Sequence, residues 1–96
     1  MIYSITIEKE AQKELDESAL WYEEHSSGLG FRFLEAYLGV LDYLELHAES
    51  FPFVEGEYRQ AVMKSFPFVI VYKISGSEVK IISVFHTGRN PEKKIK

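Results

Sequence analysis

The side chains best suited to chemistry lie late in the chain. His86 closes an apolar run, Arg89 follows three positions later, and Lys64, Lys73, Lys80 and Lys93 are spread around them. An imidazole can exchange a proton near neutrality, and a guanidinium grips a carboxylate or phosphate through a rigid fork of donors. His86 with Arg89 is therefore the leading functional pair, placed where a strand ends and its side chains leave the sheet. The other two histidines, His25 and His47, stand near predicted helix ends, where a protonated imidazole suits the helix dipole. Neither has the partner spacing of a metal site, and without cysteine there is no disulfide or thiolate ligand. Gly28-Leu29-Gly30 lacks the preceding strand and following lysine of a phosphate loop, and a turn between helices explains it. No metal and no cofactor are expected.

Charge is unevenly spread. Residues 1–58 carry three basic and thirteen acidic side chains, a balance of −10; residues 59–96 carry eight basic and two acidic, a balance of +6. The basic half is where an acidic partner would sit. The start of the chain has neither a basic leader nor a long apolar stretch. The longest apolar run, residues 66–72, is far short of the ~20 residues that cross a membrane. One domain spanning 1–96, with a basic tail over about 87–96 and a cytoplasmic location, is the expectation.

The elements that must position these groups follow from periodicity. Residues 2–7 alternate around β-branched side chains and predict a short strand. From 8 to 25, Ala11, Leu15, Ala19 and Tyr22 form one helical stripe, and Ser26-Ser27-Gly28 ends it, Gly28 being suited to a left-handed position. A second helix is predicted over 29–47, with Leu34, Leu38, Leu41 and Leu44 as its stripe and Tyr37 beside it. Gly39 lies inside it, at a site where close approach of the first helix would compensate. Residues 55–57 read as a loop. Strands are predicted over 58–63, 68–74 and 78–86, the last two joined by Ser75-Gly76-Ser77. The order β-α-α-β-β-β is an α+β pattern: an N-terminal helical hairpin packed on one face of a mostly antiparallel four-stranded sheet.

Alternation along the strands assigns faces. Phe68, Ile70, Tyr72 and Ile74 are the bulky set expected against the helices. The opposite, open face is expected to have Val62, Val69, Val71, Ile82 and Val84 at its centre and Lys64, Lys73, Lys80 and His86 at its rim. An apolar patch with a polar rim marks a partner surface. Trp21 and Tyr22 read first as anchors between helix and sheet, and Arg59 either bridges to helix carboxylates or meets a target.

Glu14-Leu15, Trp21-Tyr22-Glu23, Gly28-Leu29-Gly30 and Phe33-Leu34 are followed by Phe51-Pro52, Tyr58-Arg59, Phe66-Pro67-Phe68, Val71-Tyr72 and Val84-Phe85-His86 ahead of Arg89-Asn90-Pro91. In order and spacing, over nearly the whole chain, this set resembles the ParE/RelE toxin superfamily, and within it the ParE-like plasmid-stabilisation toxins. The resemblance implies a toxin of a type II toxin–antitoxin system, neutralised by a cognate antitoxin whose disordered segment folds onto it. ParE-like members inhibit DNA gyrase by binding it; RelE-like members cleave mRNA in the ribosomal A site. Cleavage needs a base, an acid and cations on the phosphate. RelE-type enzymes place Lys or Arg on the open face where this chain matches with Gln60, Val62 and Val69, leaving Lys64, His86 and Arg89 as the ribonuclease set. A protein-binding inhibitor rather than an enzyme is therefore expected, with no direct nucleic-acid binding alone and no membrane partner. The expected target-binding residues are Lys64, Lys73, Lys80, His86, Arg89 and Lys93; those for the antitoxin are Trp21, Tyr37, Val69, Val71 and Val84. A homodimer, or a heterotetramer with the antitoxin, is the expected assembly. A partner-binding module without toxicity is the remaining reading.

Overall fold

A computed structural model describes residues 2–88. Strand β1 (Ser4–Ile7) leads into helix α1 (Lys9–His25) and helix α2 (Leu29–His47). A short 3-10 turn (Ala48–Ser50) and strands β2 (Phe53–Glu55), β3 (Tyr58–Val62), β4 (Phe68–Ser75) and β5 (Glu78–His86) follow. The strands form one sheet in the order β1-β5-β4-β3-β2. β1 runs parallel to β5 and the other neighbours are antiparallel. The α+β class and element order match the sequence reading, with one addition. The segment around Glu55 is a hairpin strand rather than only a loop, so the sheet has five strands. β2 is three residues long and exposed throughout, too short to leave an alternating signature.

α1 buries Ala11, Leu15 and Ser18, with Ala19 and Tyr22 packed against the core. It ends where the Ser26 amide donates to the Tyr22 carbonyl and Gly28 adopts φ 85°, the left-handed conformation glycine enters without steric penalty. The Glu23 carboxylate then accepts the amides of Gly28 (2.9 Å) and Gly30 (3.0 Å). This satisfies donors at the start of α2 and puts negative charge at its positive end.

The buried row of α2 is Gly30, Phe33, Tyr37 and Leu44, so of the predicted leucine stripe only Leu44 is fully buried. Leu38 is exposed, while Leu34 and Leu41 flank the core. The close contact between helices falls at Gly30, where an added Cβ would lie 2.6 Å from the Ala19 carbonyl oxygen; at Gly39 it would meet nothing. The helices cover one face of the sheet through Phe33, Tyr37, Leu44, Phe68, Ile70, Tyr72, Val79, Ile81 and Val84. Each large apolar side chain fully buried there contributes about 2–3 kcal/mol.

The end of α2 is tied to the sheet by polar contacts. The Tyr72 hydroxyl donates to the Ala48 carbonyl (2.7 Å) and the Tyr3 hydroxyl to Glu49 (2.8 Å). Arg59 donates to the carbonyls of Glu49 and Phe51 and lies 3.9 Å from the Phe53 ring centroid. It bridges to helix-end backbone rather than to helix carboxylates. Burial pushes the phenols of Tyr37 and Tyr72 up to about 12, and the hydrogen bond to Glu49, more than burial, raises that of Tyr3.

Candidate functional site

Strand β5 decides which groups reach which face, and it changes hand midway. Tyr72 pairs with Ile81, yet Val71 pairs with Ser83, so Ile82 is an extra residue: a β-bulge. Before it, Val79 and Ile81 face the helices. After it the alternation is inverted: Val84 opposite Ile70 and His86 opposite Phe68 face the helices, while Phe85 opposite Val69 faces away. Strict alternation had put Val84 and His86 on the open face, and one inserted residue reverses every side chain beyond it.

Glu14 stands where the bulge needs a partner. β1 stops pairing at Ile7 with Ile81, after which the Glu8 amide donates to the Ile81 carbonyl. Beyond that point the edge of β5 faces α1. There one oxygen of Glu14 accepts both the Ser83 hydroxyl and the Val84 amide, each at 3.0 Å. A side chain thus replaces the missing strand, since a part-buried amide without a partner is costly. Periodicity misses this role because Glu14 sits beside the apolar stripe of α1.

On the open face Val69, Val71 and Phe85 form a separate small core with Tyr58 and Ile82 against it. Val69 and Val71 are away from the helices as expected, but they are buried within the chain, so their side chains offer little area to a partner. Lys73 and Lys80 are directly opposed on β4 and β5, both partly exposed. Like charges so placed repel, making this a local concentration of positive charge beside the acidic start of α1. Between Lys73 and that helix lies a cavity of about 360 Å³ lined by Glu8, Lys9, Glu10, Glu14, Tyr58, Lys73, Ile82 and Ser83.

His86 occupies a different corner, a small pocket shared with Ser18, Trp21, Tyr22 and Phe68. Its ring meets Phe68 edge-on at 5.1 Å, and its Nδ1 accepts the Gly88 amide (2.9 Å), which assigns the ring's proton to Nε2. Trp21 is about half exposed and stacks on His25, with centroids 3.7 Å apart. Lys64 lies on neither of these sites. It lines a groove of about 530 Å³ along the outer flank of α2 with Glu35, Ala36, Gly39, Tyr43 and Val62.

The sequence-predicted residues are thus dispersed. Lys73 and Lys80 come together; Lys64 and His86 line separate pockets; Arg89 and Lys93 lie outside the described residues. Of the residues expected to meet an antitoxin, Trp21 is accessible. Tyr37, Val69, Val71 and Val84 are buried, the first and last of them against the helix–sheet core. Among the described residues no group of three or more His, Asp and Glu is placed to hold a metal ion, and no helix there is long and apolar enough to cross a membrane.

No protein-family model matches the chain, and no curated protein matches it by sequence. Solved structures do. A chain of the chromosomal ParDE toxin–antitoxin system from P. aeruginosa superposes with a TM-score of 0.75 at 17% identity, covering 88% of this chain and 96% of that one. This is the ParE/RelE fold. A chain of the archaeal RelE-RelB complex from Pyrococcus horikoshii OT3 matches with a TM-score of 0.51 at 21% identity, covering 94% of this chain and all of that one. Within the ParE/RelE fold, this chain's open face carries Gln60, Val62 and Val69 on β3 and β4, none of which can neutralise a phosphate. Among the described residues its cations there are Lys73, further along β4, and Lys80 opposite it on β5. His86, the group able to move a proton, is turned toward α1.

Proposed function

We propose that this chain is the toxin of a type II toxin–antitoxin pair that acts by binding a protein target, DNA gyrase, and is held inactive by a cognate antitoxin. The observation that carries this reading is the shared fold: nearly nine-tenths of the chain superposes on a chain of a ParDE system. The scattered chemistry supports binding over catalysis. Among the described residues Lys64 and His86 line different pockets, so these two do not converge as a base and a phosphate clamp must for cleavage. The clustered positive charge of Lys73 and Lys80 suits an acidic partner surface.

Expression of the chain alone should arrest growth, and co-expression of a short neighbouring reading frame should restore it. Purified protein should inhibit supercoiling by gyrase. Growth unaffected by strong expression would leave only the partner-binding module. New 5′ ends in cellular mRNA after induction, with supercoiling intact, would instead establish the RelE-like ribonuclease.

A further inference from the structure

The cavity of about 360 Å³ between α1 and the open face sorts its polar groups by depth. Glu8, Lys9 and Glu10 are exposed at its mouth, whereas Glu14, Tyr58, Lys73 and Ile82 are half-buried and Ser83 is buried. The inner part therefore holds one carboxylate, from α1, and one ammonium, from β4, with the bulge of β5 between those two elements. The Glu14 side chain is fixed before any ligand arrives. Its Oε1 accepts both the Ser83 hydroxyl and the Val84 amide, each at 3.0 Å, and Oε2 takes no part in holding the bulge. A carboxylate already immobilised by the fold loses little conformational freedom when it accepts a further donor. Lys73 is opposed to Lys80 across the strands, so a carboxylate arriving beside it relieves a like-charge repulsion.

We propose that this cavity binds a free α-amino acid with an apolar side chain. The α-ammonium sits on Oε2 of Glu14, the α-carboxylate on the Lys73 ammonium, and the side chain against Ile82 and the Tyr58 ring. Charge selects this class. A ligand that is only cationic meets Lys73 and Lys9, and one that is only anionic meets Glu14, Glu8 and Glu10. A ligand carrying both signs pairs each inner charge with its opposite, whereas an unpaired charge is costly to cover. Size agrees: small-molecule cavities begin at roughly 300 Å³, so one of about 360 Å³ takes a ligand from the small end of that range. The inference goes beyond the toxin reading and does not rest on it.

Titration of the isotope-labelled full chain with L-leucine, followed by nuclear magnetic resonance, tests it. Amide shifts centred on Glu14, Lys73 and Ile82 should saturate with a Kd of about 1 mM or tighter. The Val84 amide should exchange more slowly once Oε2 of Glu14 is engaged. N-acetyl-L-leucine and L-leucinamide each lack one of the two charges and stand for the two ends of a peptide; both should bind about tenfold or more weakly. Lys73→Met keeps the stem and removes the charge. Glu14→Gln keeps an acceptor for Ser83 and Val84 and puts an amide where Oε2 was. Each should weaken L-leucine about tenfold or more with circular dichroism unchanged, and Lys73→Met alone decides the matter should Glu14→Gln fail to fold. No shifts at up to about 10 mM L-leucine, either analogue binding as tightly as L-leucine, or Lys73→Met binding it as the wild type does would overturn the proposal.

Discussion

The two sides of α2 use glycine in opposite circumstances. On the inner side, at Gly30, the backbone of α1 has closed to a distance where a methyl group would collide with the Ala19 carbonyl, and Glu23 fastens the approach by holding two amides of the turn. On the outer side, at Gly39, the same residue type faces open space. The first glycine is required by the fold; the second weakens its helix with no return inside the chain. A small residue is thus informative about a neighbour only when its surroundings are known.

That contrast can be broken at four points. Gly30→Val should destabilise by about 3 kcal/mol, since backbone rather than a flexible side-chain end must yield; a urea midpoint within error of wild type would show that the helices can part freely. Glu23→Ala should lose about 1–2 kcal/mol by removing the turn's acceptor, and amide exchange at Gly28 and Gly30 should quicken. Gly39→Ala should do the reverse, adding up to about 1 kcal/mol, since an added Cβ there meets no atom within 4 Å. The smallest effect is alkaline. The Tyr37 phenol of the inner side is raised from 10.0 to about 12 by burial. The fold therefore favours the protonated form, and its stabilisation is complete below pH 10 and lost as pH climbs through 12. Tyr37→Phe should flatten part of that decline in chemical-denaturation midpoints.

Much of the architecture was legible in the residues because long, strongly periodic segments report their own conformation. α2 and β5 span the predicted 29–47 and 78–86, and Gly28 takes the predicted left-handed turn. The failures share one cause. Leu38 was assigned inward and Gly39 to the helix contact because periodicity shows that a stripe exists without fixing where its centre lies. Phe33 and Tyr37, not Leu38, mark it. Val84 and His86 were assigned to the open face because alternation assumes an unbroken ladder. The insertion at Ile82 is recorded in the pairing with β4 and nowhere in β5's own sequence. The site inherited both errors: Val84 and Tyr37 lie inside, and His86 answers to α1. Lys73 and Lys80, on the stretch before the bulge, were placed on the right face.

The support that Glu14 gives β5 has a consequence for motion. In the lower part of that strand, opening an amide means peeling one strand from another, a cooperative event. At Val84 the acceptor is one carboxylate at the end of a rotatable side chain, so a local swing about Glu14's own torsions suffices to release it. Val84 should therefore exchange its amide proton much sooner than Ile81, three residues away in the same strand, making the upper reach of β5 a soft spot within an otherwise rigid sheet.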